Sequence, residues 1–133
     1  MGLDMYAFSF EPSKLKDPNA QINLDFVRED GEERPAIELA YWRKFNHLHG
    51  WMERLYEKKG GEDVFNCETV RLTEEDLDQL EADWKAGKLT ATEGFFFGSG
   101  EWYPENDEAI AKFLMDARAQ LAEGKGVFYD SWW

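Results

Sequence analysis

The sequence predicts an α+β domain in which an antiparallel or mixed sheet packs against a long central helix and two shorter helices. Three observations lead there. Two segments near the N-terminus alternate their side chains with a period of two, the mark of strands, and the closing residues read as a further strand. Between them, apolar residues recur at the spacing of one helix face in three separate segments. The chain of 133 residues carries no repeat and no low-complexity linker, so residues 1–133 are expected to form a single domain around one core.

Residues 3–10 alternate, with Tyr6, Phe8 and Phe10 on one side and Met5, Ala7 and Ser9 on the other, until Pro12 ends the strand. Residues 14–20, with Pro18, read as loop. Residues 21–28 alternate again, setting Ile22, Leu24 and Phe26 opposite Asn23, Asp25 and Val27, and residues 29–33 form a polar turn. Pro35 then sits where a first helical position tolerates proline. Residues 36–59 read as the long central helix. At about 100° per residue, Ile37, Tyr41, Phe45, Leu48, Met52 and Leu55 fall within about 80° of arc, flanked by Trp51 and Tyr56. Gly60 and Gly61 stop the helix, and the charges of Lys58 and Lys59 suit its C-terminal dipole. Gly50 interrupts it, which implies either a bend or a closely packed backbone. Lys44 falls inside the apolar arc. Either its stem snorkels to the rim, or it is a buried amine of lowered pKa.

Residues 64–72 are ambiguous, with residues 69–72 able to form a short strand. Thr73 and Asp76 make a capping box that opens a helix with Leu77, Leu80 and Trp84 as its seam and Gly87 as its stop. Residues 94–100 read as a short strand of three phenylalanines running into a glycine-rich turn. A third helix begins between Pro104 and Asp107, carries Ile110, Phe113, Leu114, Ala117 and Leu121, and closes at Gly124 and Gly126. Residues 127–133 read as a terminal strand.

Composition narrows the function. A formal net charge of −13 gives the long-range field the wrong sign for non-specific attraction to nucleic acid or to an anionic membrane. It fits a solvated acidic surface, or an acidic decoy that occupies a basic site on a partner. With a single cysteine, Cys67, there is no internal disulfide and no multi-cysteine metal site; Cys67 reads as a small buried apolar residue. The opening residues lack a secretory pattern, and no apolar run is long enough to span a membrane, so a cytoplasmic location is expected.

Four stretches, MGLDMY, AYWRKFNHLHGW, GFFFGSGEWY and the closing FYDSWW, resemble a family of small bacteriophage and prophage proteins. The resemblance touches both ends and the middle of the chain and leaves out residues 14–35. It implies a phage or bacterial cytoplasmic setting and brings no catalytic residue.

Candidate chemistry sits on the polar side of the expected central helix. There Arg43, His47, Gly50 and Arg54 fall within about 60° of one another, and Trp42, Asn46, His49 and Glu53 form a second band. Such an Arg-His-Arg column can hold a phosphate or carboxylate, although carboxylates elsewhere in the fold can equally pair with its arginines. His47 and His49 point too far apart to chelate one ion. Ser99 lies in no nucleophile pattern, and Gly98-Ser99-Gly100 lacks the lysine of a phosphate loop. Neither a catalytic set, a metal site nor a cofactor is therefore expected. Trp42, Trp102, Tyr103, Trp132 and Trp133 either pad a small core or crowd a docking surface. The expected function is a non-enzymatic protein-binding module, its partner another protein or a second copy of the chain. The alternative is a sequestering or enzymatic binder of a small anionic or nucleotide-like ligand, held by Arg43, His47 and Arg54, or by His49 with Trp42.

Overall fold

The computed structural model describes residues 3–24, 37–90 and 101–133. Four strands, β1 (Asp4–Phe10), β2 (Ile37–Arg43), β3 (Val70–Leu72) and β4 (Gly126–Trp132), form one sheet in the order β2-β1-β4-β3. Every pairing is antiparallel. Among the described residues three α-helices, α1 (Asn46–Lys58), α2 (Glu74–Lys85) and α3 (Pro104–Ala122), complete the α+β architecture.

The central helix is shorter than residues 36–59. Residues 37–43 are instead a strand paired with β1 from Asp4 opposite Arg43 to Ser9 opposite Ile37, with a register shift between Ala7 and Phe8. Of the three helices, α3 is the longest, at 19 residues against 13 for α1. The physical reason is that a helical apolar spacing does not by itself exclude a strand. Tyr41 falls opposite Tyr6 on one face, while Ile37, beyond a register shift between Ala7 and Phe8, falls opposite Ser9 on the other. The choice is made by β1, which offers backbone hydrogen-bond partners, and by the strand preference of Ile37, Tyr41 and Trp42. Lys44 then separates the two elements. It is exposed, adopts φ +55°, and donates its backbone N–H to the Leu3 carbonyl at 2.7 Å. Neither sequence reading of Lys44 holds, because the residue is a left-handed hinge rather than a helical one.

Other segments form where their patterns place them. Thr73 caps α2 through the reciprocal box, its N–H donating to Asp76 Oδ2 at 2.9 Å and its Oγ1 accepting from the Asp76 N–H at 3.2 Å. Pro104 opens α3, whose Ile110, Phe113, Leu114 and Ala117 are buried. The C-terminal segment is β4, and residues 70–72 form β3. Of the expected strand at residues 21–28, Ile22 makes a single bridge to Val70, and residues 25–28 lie outside the described residues, as does the segment 94–100. Gly50 lies buried within an uninterrupted α1. Cys67, expected inside, is exposed at φ +62°.

The sheet has two unlike faces. Leu3, just before β1, Met5, Ala7 and Ser9 of β1, and Val127, Tyr129 and Ser131 of β4 are turned to the helices and buried. The apolar members of this set, with Leu48, Met52 and Tyr56 of α1, Leu77 and Leu80 of α2 and Phe113 of α3, build the main core. Small side chains on β1 let the helix layer approach closely, which leaves the larger rings of Tyr6, Phe8 and Phe10 on the other face. A lesser cluster there, of Phe10, Leu15 and Phe128 with Phe8 and Leu24, closes one end of that face.

Candidate functional site

Strand register turns the uncovered end of the second face into a grid. One row runs Arg43, Asp4, Trp132; the next runs Tyr41, Tyr6, Asp130; the third runs Glu38, Phe8, Phe128, Arg71. Side chains at matched positions on neighbouring antiparallel strands lie close enough to touch. Tyr41 and Tyr6 do so, with ring centroids 5.2 Å apart, as do Phe8 and Phe128 at 5.6 Å. The Tyr41 hydroxyl donates to Asp4 Oδ1 at 2.6 Å, and the neighbouring Asp4 carboxylate pushes the Tyr41 phenol above its ordinary pKa. Arg43 Nε lies 3.8 Å from the same carboxylate. In the third row the Arg71 guanidinium sits 5.7 Å above the Phe128 ring and donates to the Pro18 carbonyl at 2.7 Å. That row is closed by its own contacts. The first two are open, with Trp132 at 65% exposure and Tyr41 at 50%.

The residues singled out from the sequence are scattered by the break at Lys44. Arg43 belongs to the open sheet face. Trp42, next to it in β2, points to the helix side and meets Phe113 edge-on at 5.3 Å. His47 is buried in the first turn of α1, its ring edge-on to Trp102 at 5.3 Å and tilted against Phe45 at 6.1 Å. His49 is fully buried beneath the sheet, stacked on Phe65 at 5.3 Å. Its Nδ1 and the Tyr129 hydroxyl share a 2.7 Å hydrogen bond. Burial lowers the His49 pKa to about 4 and pushes the Tyr129 phenol well up, so both are neutral at ordinary pH. Arg54 is exposed on the side of α1 that faces α2. No column of Arg43, His47 and Arg54 exists, because a helical period cannot carry across a strand. His47 and His49 are packing residues of the core.

The tryptophans and tyrosines also separate. Trp133 donates its Nε1 proton to the Phe65 carbonyl at 2.9 Å, and Trp102 and Tyr103 sit at the start of α3. Only Trp132 of that group lies on the open face. The alternation along β4 marks it, since Trp132 is in phase with Asp130 rather than with Tyr129 and Ser131. Among the described residues no group of three or more histidine, cysteine or carboxylate side chains is placed to hold a metal ion, and no helix is long and apolar enough to cross a membrane. No protein-family model, curated protein or solved structure matches this chain.

Proposed function

We propose that the protein is a non-enzymatic docking module whose open sheet face receives an arginine- or lysine-bearing segment of a partner protein. The observation that carries this is the joint exposure of Trp132 and Tyr41 on one rigid face. Large rings left in water on a sheet are anchors for association. Their neighbours select the partner: Asp4 and Asp130 against the single Arg43 make the open rows acidic, and the chain as a whole carries −13. Rings flanked by carboxylates suit a guanidinium or ammonium group, which gains from the ring face and from the anion together. The net charge steers such a partner inward from a distance. In the phage or bacterial cytoplasm that the sequence resemblance implies, such a partner is a protein that uses its basic surface for another anion.

Calorimetric titration of arginine-rich and glutamate-rich peptides of equal length into the protein at low ionic strength tests this. The basic peptide is expected to bind with an affinity that falls steeply with added salt, the acidic peptide not at all, and Trp132→Ala and Tyr41→Ala each to weaken binding about tenfold. Equal binding by wild type and Trp132→Ala overturns the proposal. So does a dimer in solution that Trp132→Ala dissolves, because the face is then occupied by a second copy of the chain.

A further inference from the structure

A different surface holds a cleft. Helices α1 and α2 leave between them a cleft of about 590 Å³, walled on its apolar side by Trp51 and Leu55. That volume lies in the range of small-molecule sites. Its polar groups divide sharply into those already engaged and those still available.

Asp76 is consumed by the α2 capping box and by Lys59, whose ammonium lies 2.6 Å from Oδ2. Asp83 accepts from the Trp51 Nε1 proton and from the Gln79 amide, both at 2.9 Å. Those two bonds fix the Trp51 ring in place. Arg54, Lys58 and Lys88 also line the cleft, and among the described residues none of the three side chains is in an ion pair or hydrogen bond. The one carboxylate in the lining without such a partner among those residues is Glu75. The donors to Asp83 are neutral and leave its charge in place, yet with Asp76 neutralised by Lys59 the three cations still outnumber Glu75 and Asp83, so the cleft is net positive in a chain of net charge −13. An acidic protein has carboxylates to spare for neutralising surface cations, and here they are held elsewhere: Glu81 by Lys85 and Arg118, Asp78 by Arg118, Asp116 by Lys112.

We infer that the α1–α2 cleft binds a small phosphate-bearing molecule, its anion taken by Arg54, Lys58 and Lys88 and its apolar body lying against Trp51 and Leu55. Arginine offers a planar fork of donors to phosphate oxygens, and lysines add point charge around it. The two helices present these groups from fixed backbone, Arg54 and Lys58 one turn apart on α1 and Lys88 just past the end of α2. The general repulsion of the acidic surface favours a compact anion over a polyanionic chain.

Isothermal titration at low ionic strength with adenosine, adenosine monophosphate, adenosine triphosphate and inorganic phosphate tests the inference on the intact protein. Saturable binding of a phosphorylated probe is expected, with adenosine at least tenfold weaker. Arg54→Gln and Lys88→Gln should each weaken binding about tenfold, with unfolding midpoints in the absence of probe unchanged because both side chains are exposed. No saturable binding by any phosphorylated probe, or equal affinity in wild type and the Arg54→Gln/Lys88→Gln double variant, overturns it. Trp132→Ala is expected to bind these probes as wild type does, which separates this site from the open sheet face.

Discussion

The buried His49 makes folding stability depend on pH in a way that can be worked out in advance. Its imidazole is fully buried and its pKa lies at about 4 in the folded chain, against an ordinary 6.5. Between those two values the unfolded chain binds the proton and the folded chain does not, so acid favours unfolding. The contribution is therefore complete above the unfolded value and lost as pH falls toward the folded one. Integrating the difference in proton binding, the loss is about 2 kcal/mol by pH 5 and about 3 kcal/mol by pH 4. Carboxylates titrate over part of the same range. Among them is Glu53 on α1, whose pKa burial pushes up with help from the neighbouring charge of Glu57. A direct comparison with His49→Gln removes that background, since the variant keeps the carboxylates and lacks the imidazole. Urea denaturation at pH 7.5, 6, 5 and 4 should show the stability gap between the two proteins narrowing by about 3 kcal/mol across the series. Should the variant fail to fold, the imidazole carbon signals of the wild type answer the same question and should show neutral His49 down to pH 5. A gap that stays constant with pH, or a His49 midpoint near 6.5, would refute the reasoning.

Two further outcomes probe the packing around the cleft and the end of α1. Lys59 Nζ donates to Gln21 Oε1 at 2.9 Å, to the Arg71 carbonyl at 2.6 Å and to Asp76 at 2.6 Å, joining three segments in one half-buried knot. Lys59→Met should cost about 2–3 kcal/mol in urea denaturation at pH 7, because it strands those acceptors; a loss below about 0.5 kcal/mol would show that water replaces the ammonium. At Gly61, an added methyl group would overlap the ring of Tyr56, which is fully buried and donates its hydroxyl proton to Asn23 at 2.8 Å. Gly61→Ala should therefore lower stability by about 2 kcal/mol or more. Gly60→Ala meets nothing within 4 Å and should carry only the penalty of its φ of +102°, about 1 kcal/mol. Equal losses at the two glycines would argue that Tyr56 yields freely.

Where a segment carries its own punctuation, the sequence alone was enough. The Thr73–Asp76 box names the start of α2, Pro104 names the start of α3, the period-2 run of residues 3–10 names β1, and the closing segment names β4. These signals are local: a cap or a missing N–H acts on its own turn, whatever the rest of the fold does. From them and from composition, the α+β class could be read without the structure.

Tertiary structure decided the rest. Residues 37–43 carry a helical apolar spacing, and the partner strand β1 draws them into the sheet instead. That choice dissolved the Arg43, His47 and Arg54 column. It sent His47 and His49 into the core, left Arg54 facing α2, and put Arg43 beside Asp4 and Trp132. Alternation in β1 showed that its side chains split into two sets, but not which set would be buried. The helix layer buried Met5, Ala7 and Ser9, and the larger rings were left to the open face. The cleft was beyond the sequence for the same reason, since Lys58 and Lys88 meet only when α1 and α2 are laid side by side. A chain specifies its periods locally. Which face of each period becomes interior depends on the surface that another segment brings to it.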